Sequence, residues 1–236
     1  MNLLVLMSAL RRLDSGDLPL LQDCGGKTQL EAVLEQYEVL VKMGAKPIVT
    51  LQQMDCKNFH LDQVVHRFWP QVKIVKVQGE TAGAVCSALL AINHLLLSEP
   101  LLIVNGDHLL EADLIGMIEE TKNRKASGGV VVFESINPRF SYVRIDEHGW
   151  VDEVAEKKPI SRNATAGVYY YSTAQLFIQS AVSLIKKQAH FGGRYYIAPC
   201  FNEVILRGGS VFAFKIPSQS YKPLSPINIP INREAP

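Results

Sequence analysis

Long apolar runs are missing from this chain: none approaches the roughly 18 residues that a membrane-crossing helix needs. Leu3–Leu6 is too short for the core of a signal peptide, and Arg11 and Arg12 follow it rather than precede it. A charge bias is missing as well. The formal net charge of +1 gives no electrostatic case for a nucleic acid or a membrane surface as partner. Cysteine is sparse, and Cys24, Cys56, Cys86 and Cys200 lie far apart with no CxxC and no metal-finger spacing. They read as reduced thiols, which sets the expectation of a cytoplasmic protein. No repeat or low-complexity segment stands out. What remains, 47% hydrophobic and 20% charged over 236 residues, is ordinary for a globular protein and enough for one large core.

The most informative stretch is Leu101–Asp107, LLIVNGD. Its apolar residues run without alternation, as in a strand covered on both faces. The run ends on Asn105, Gly106 and Asp107, so that the carboxylate falls at the strand's carboxyl end, where open α/β sheets bind ligands. An Asp there, beside a glycine that admits phosphate, suits one Mg²⁺. It equally suits the cap of a helix starting near Leu109.

Around it, strands are expected at Leu3–Met7, Pro47–Leu51 and Val72–Val77. Helices are expected from the Thr28 cap through Val41, over Leu61–Phe68, over Ala84–Leu97 and near Leu110–Lys122. This alternation predicts an α/β fold with a mostly parallel central sheet flanked by helices. After Gly129 the pattern becomes antiparallel: strands at Val130–Glu134, Phe140–Ile145, Val151–Val154 and Ala166–Tyr171, with a turn at Glu147–Gly149. A helix over Thr173–Lys187, another over Tyr195–Leu206 and a closing strand at Ser210–Ile216 complete a single domain, 1–216. Residues 217–236 carry five prolines and read as an extended tail.

Three further segments can carry chemistry. Gly79–Ala84 lies between strand and helix, where glycines and free helix-start amides admit an anion or a base edge; it is also an unremarkable turn. Glu156-Lys157-Lys158-Pro159 offers a carboxylate for sugar hydroxyls and an ammonium for phosphate, or makes a solvated turn. The small residues of Asn163–Tyr169 leave room for a ligand ring or for a neighbouring strand.

In that order, the Gly-Thr turn, NGD, EKKP and AGVYYY resemble the sugar-phosphate nucleotidyltransferases, of the glucose-1-phosphate thymidylyl-, uridylyl- and cytidylyltransferase kind. The likeness is closest to short bacterial members of capsule and lipopolysaccharide metabolism. It runs from Leu3 to Ile216, and is strongest over Asn105–Phe201, including the run Phe140–Gly167 and the later GGRYYIAPCFNE. The resemblance implies a mixed, Rossmann-like (GT-A-like) fold. It also implies Mg²⁺-dependent transfer of a nucleotidyl group from an NTP to a sugar-1-phosphate or similar phosphate. Asp107 would hold the metal and act with Arg12, or with Arg11 in its place. Ser8, Ala9, Thr81, Gly83, Asn105 and Gly106 would face the nucleotide. His108, Glu156, Lys157, Gly167 and Arg194 would face the acceptor. The implied partners are these small molecules, with a second copy or a partner subunit as a further option, and no nucleic acid or membrane insertion.

The chain also departs from that family. Met7–Gly16 lacks the glycines of the triphosphate loop, and Leu18-Pro19 stands where a lysine precedes proline. No acid occurs in Phe214–Pro226, where a second metal-binding Asp is usual, and Arg194 reverses an acidic position. Two readings therefore stand: an active enzyme with an altered loop, or a catalytically impaired relative that binds nucleotide or sugar phosphate or supports an active partner. A metal-dependent glycosyltransferase is a third, disfavoured because Asp113, the next acid in reach of a paired site, falls on the following helix.

Overall fold

A computed structural model describes residues 1–8 and 17–224. In chain order the elements are β1 (Asn2–Leu6), α1 (Gln29–Gln36), α2 (Glu38–Lys42), β2 (Lys46–Gln52), α3 (Gln53–Phe59), α4 (Leu61–Phe68) and β3 (Lys73–Val77). Then come α5 (Ala84–Leu89), β4 (Leu101–Asn105), β5 (His108–Leu110), α6 (Leu114–Asn123), β6 (Gly128–Glu134), β7 (Ser141–Ile145) and β8 (Val151–Glu156). The chain continues through β9 (Asn163–Tyr171), α7 (Ala174–Lys186), α8 (Cys200–Leu206), β10 (Val211–Lys215) and β11 (Tyr221–Pro223).

One sheet runs in the order β10-β6-β9-β4-β1-β2-β3, with β7 and β8 branching from β9. β1, β2, β3 and β4 are mutually parallel, and β9 runs antiparallel between β4 and β6. The mixed, mostly parallel sheet expected from the sequence is therefore present. Its strands are apolar on both sides because helices cover both faces. On one face Leu3, Val5, Val49, Leu102 and Val104 pack with α1, α4 and α6. On the other, Leu4, Leu6, Ile48, Leu101 and Ile103 pack with α5, α7 and α8. Strand order reverses between β1 and β4, so the crevice beyond their carboxyl ends is the switch point at which such sheets bind ligands.

Side-chain caps mark the starts of α1, α6 and α7. Thr28 accepts from the Glu31 amide at 3.2 Å while Glu31 accepts from the Thr28 amide at 2.7 Å, a complete capping box. Replacing Thr28 by alanine is expected to lower stability by about 1 kcal/mol, read by chemical denaturation, with no change at the crevice.

Four expectations need correction. The helix placed near Leu110 begins at Leu114, because β5 intervenes. Gln36 grips β5 at both polar groups, donating to the His108 carbonyl at 3.2 Å and accepting from the Leu110 amide at 2.9 Å. Asp113 then caps α6 through the Gly116 amide at 2.8 Å, so Asp107 is not the cap. The helix expected over Ala84–Leu97 stops at Leu89: buried Asn2 captures both polar groups of Leu96 and holds that segment against the sheet. The helix expected from Tyr195 starts at Cys200, after Pro199, because the Tyr195 backbone is paired with the turn before α5. The helix from Thr28 is broken at Tyr37 into α1 and α2.

Pro217–Leu224, expected to be extended, makes one 3-10 turn at Ser218–Ser220 before the short strand β11, and it is docked. β11 pairs antiparallel with β5, placing Pro223 opposite His108, and the Leu224 amide donates to the Asp107 carbonyl at 3.0 Å. Residues 225–236 of the expected tail lie outside the described residues.

Candidate active site

Asp107 follows β4 at the switch point. Its side chain is about half exposed (50%), while the next side chain, His108, is closed off at 1%. His108 Nδ1 lies 3.0 Å from Asp107 Oδ1. A carboxylate can only accept, so Nδ1 donates, and the buried Nε2 has no hydrogen-bond partner among the described residues. Burial pushes the Asp107 carboxyl up, but the His108 hydrogen bond and charge, with help from its own amide and the Arg139 charge, outweigh it. The net result holds this group below its ordinary range, ionised at neutral pH.

The two glycines here are positioned by packing. Gly106 donates to the Leu6 carbonyl at 2.9 Å, and a Cβ on it would lie 2.7 Å from Met7 Cγ. Its missing side chain lets β4 close against the end of β1; the sequence had suggested an approach for phosphate. Gly167 has φ +73°, and a Cβ there would meet His108 Cε1 at 2.8 Å and Asn105 Nδ2 at 3.0 Å. Asn105, Asp107, His108 and Gly167 are thus brought together, β9 lying directly over the end of β4.

Ser8 is buried, its hydroxyl 3.0 Å from that of Thr50 and its carbonyl bonded by Gln52 at 2.7 Å. Ala9, Arg11 and Arg12 lie outside the described residues.

Among the residues expected to face the acceptor, Glu156 accepts a hydrogen bond from the Ser141 hydroxyl. Burial raises its pKa to about 7 despite that bond and the neighbouring Lys157 charge. Being an acid with a raised folded-state value, Glu156 favours the protonated native state. Stability should therefore fall as pH rises from about 4.5 to about 7, and Glu156→Gln should flatten that slope in pH-dependent thermal unfolding.

Lys157, in a left-handed backbone conformation at φ +53°, extends to Tyr196, donating to its hydroxyl at 2.9 Å. The ammonium also lies 4.9 Å from the Tyr196 ring and 5.3 Å from that of Phe191. The loop carrying these rings is fastened to the Gly79–Gly83 turn. Tyr195 donates to the Ala82 carbonyl at 2.8 Å and accepts from the Val85 amide at 3.1 Å. Arg194 pairs with Glu80 at 3.2 Å, so this basic group is turned to the turn's carboxylate. Thr81 has its hydroxyl 2.7 Å from that of Ser87 and donates to the Gly83 carbonyl at 3.1 Å. The Val85 amide at this helix start is thus already paired.

Residues the sequence reading passed over also frame the crevice. Tyr221 stacks on His108 (centroids 5.1 Å apart) and on Phe133 (4.5 Å), with Phe140 edge-on at 5.6 Å and Arg139 over Phe140 at 4.5 Å. Tyr196 could have been found from its place in GGRYY. Tyr221 had no local signal, since it lies in a proline-interrupted stretch.

For a metal, the donor set is spare. Among the described residues no three His, Cys, Asp or Glu side chains cluster to hold an ion. Asp107, ionised and half exposed, fits Mg²⁺ held by one carboxylate, the other ligands being water and substrate phosphate.

Comparison with known proteins agrees with the fold. A family model described as nucleotidyl transferase matches residues 32–196, beginning after the loop that lacks glycines. The nucleoside-diphosphate-sugar pyrophosphorylase of Vibrio cholerae RC9 superposes with a TM-score of 0.79 at 18% identity, covering 96% of each chain. A Bacillus anthracis protein assigned as a glucose-1-phosphate thymidylyltransferase, in complex with a sucrose, gives 0.68 at 18% identity, over 92% of this chain and 87% of that one.

Proposed function

Because this chain belongs to the nucleotidyl transferase family, we propose that it transfers a nucleotidyl group from an NTP to a sugar-1-phosphate or similar phosphate. The reading extends to Mg²⁺ dependence and to a place in cytoplasmic precursor synthesis for capsule or lipopolysaccharide. One observation carries it: an ionised Asp107 stands at the β1/β4 switch point, held by His108, against which Gly167 of β9 packs.

In this reaction an oxygen of the acceptor phosphate attacks the α-phosphorus of the NTP; the new P–O bond forms as the bond to the β-phosphate bridging oxygen breaks, and pyrophosphate leaves. Asp107 would hold Mg²⁺, which when bound offsets negative charge on the phosphates. The chain's own contribution is positioning and charge. The turn at Gly79–Gly83 offers a rigid edge for the base. Glu156 accepts from, or when protonated donates to, a sugar hydroxyl. Lys157 brings its charge to the acceptor phosphate from its seat on Tyr196.

The alternative, a catalytically impaired relative, is favoured by a specific feature. β11 sets Pro223 opposite His108, beside Asp107, and proline offers a metal no side-chain ligand.

Thermal unfolding with each NTP, with and without Mg²⁺, is the first test, followed by pyrophosphate release over a panel of sugar-1-phosphates. A Mg²⁺-dependent rise with one NTP, then turnover, is the expected result. A rise with a sugar phosphate or nucleotide sugar alone, and no pyrophosphate, would replace it with the impaired reading.

A further inference from the structure

Of the lysine and arginine side chains expected at the crevice, the two among the described residues are engaged: Lys157 with Tyr196, and Arg194 with Glu80. Arg139 is different. It sits on the loop between β6 and β7 with its guanidinium 4.5 Å from the centre of the Phe140 ring. Its Nε is buried with no acceptor among the described residues, and it forms no ion pair with any described carboxylate. A buried donor without an acceptor is costly, and such groups are retained where a ligand completes them.

The loop that presents Arg139 is stiff. The hydroxyl of fully buried Tyr142 donates to the Asn137 carbonyl at 2.7 Å, and the Asn137 side chain accepts from the Arg139 amide at 3.2 Å. Phe140 meets Tyr221, Tyr221 stacks on His108, and His108 holds Asp107. Arg139 and Asp107 thus stand at the two ends of one packed row. A guanidinium whose planar fork is not taken by a described carboxylate can receive the oxygens of a phosphate in pairs.

We propose that Arg139 is a phosphate-binding residue, clamping a phosphoryl group of donor or acceptor on the side away from Asp107. The assignment rests on the proposed reaction, which brings phosphates to this crevice. It supplies a cation that the leucine-for-lysine change before Pro19 removes.

The test uses the full chain as wild type, Arg139→Met and Arg139→Lys. Methionine keeps an apolar stem over Phe140 without charge, and lysine restores charge without the fork. Dissociation constants with Mg²⁺ are measured by calorimetry for each NTP, for inorganic pyrophosphate and for glucose-1-phosphate, alongside the unliganded thermal midpoint. Arg139→Met is expected to weaken phosphate binding on the order of 10–100-fold, with Arg139→Lys recovering part and the midpoint little changed. Weakening confined to NTP and pyrophosphate assigns the clamp to the donor, and weakening confined to the sugar phosphate assigns it to the acceptor. Wild-type affinity in Arg139→Met overturns the proposal while leaving the reaction intact; should that variant not fold, full wild-type affinity in Arg139→Lys, with no fork, does the same. A wild-type chain that binds none of these ligands overturns the reaction and, with it, the clamp.

Discussion

Asp107→Asn is expected to lower kcat on the order of 10²–10³-fold and to abolish any Mg²⁺ dependence of NTP binding, while leaving the fold intact. Three features set that size. The carboxyl is half exposed, so no core packing is lost when its charge goes. The asparagine oxygen can still accept from His108 Nδ1, so the imidazole keeps its partner. The carboxyl is held below its ordinary range, so at neutral pH the wild-type group is an anion and the variant removes a full charge from the crevice. Because that pKa is depressed, stability and metal affinity contributed by the ionised form should persist at neutral pH and fade only as acid titrates it. Steady-state kinetics with the NTP and acceptor found by screening, and thermal unfolding of both proteins, decide it. A variant with kcat within a few-fold of wild type and unchanged Mg²⁺ dependence would falsify the assignment of Asp107 as metal ligand.

The largest stability effect is expected at Gly83. Its backbone sits at φ 110° and ψ 178°, a region essentially reserved for glycine. A Cβ there would lie 2.5 Å from the Tyr195 carbonyl oxygen and 2.7 Å from its nitrogen. Those are main-chain atoms, fixed by hydrogen bonds to Ala82 and Val85, and they cannot swing away as a side chain would. Gly83→Ala therefore combines backbone strain with loss of at least one of these bonds, a cost of about 3–5 kcal/mol. For a domain of this size that corresponds to a thermal midpoint lower by roughly 10 °C. Gly79→Ala is the control: φ is also positive, at +70°, but no atom lies within 4 Å of the added Cβ, so only about 1–2 kcal/mol is expected. Equal midpoints for the two variants would mean that the Tyr195 loop is not fastened to this turn. If the loop is fastened as described, Gly83→Ala should also weaken acceptor binding, since Tyr196 on the same loop seats Lys157.

The alternation of strands and helices, the Thr28 cap and the change to antiparallel pairing after Gly129 were legible in the sequence because each is a local matter. An apolar run, a capping residue and a turn act over a few neighbours, and their periods survive in one dimension. The same holds for Asp107: a lone acid ending a buried strand is a statement about one segment. The family likeness also follows from the order of short motifs along the chain.

What lay beyond local signals was every contact between distant segments. Gln36 turned a would-be helix start into β5 from 74 residues away, and Asn2 ended α5 early across 94. Gly106 and Gly167 carry the same letter, yet one is shaped by Met7 and the other by His108 and Asn105. Arg194 looked like a substrate-facing cation and meets Glu80, whereas Arg139, set in a polar turn, has a buried Nε with no acceptor among the described residues. Tyr221 joined the site from a stretch with no periodicity at all. The sequence by itself determined the layered α/β fold and the carboxylate at its switch point, because burial and backbone preference are summed over neighbours. Only the tertiary structure decided which charges were already paired and which remained to meet a ligand, because a side chain's partner depends on distance in space, and that distance is set by the packing of the whole sheet.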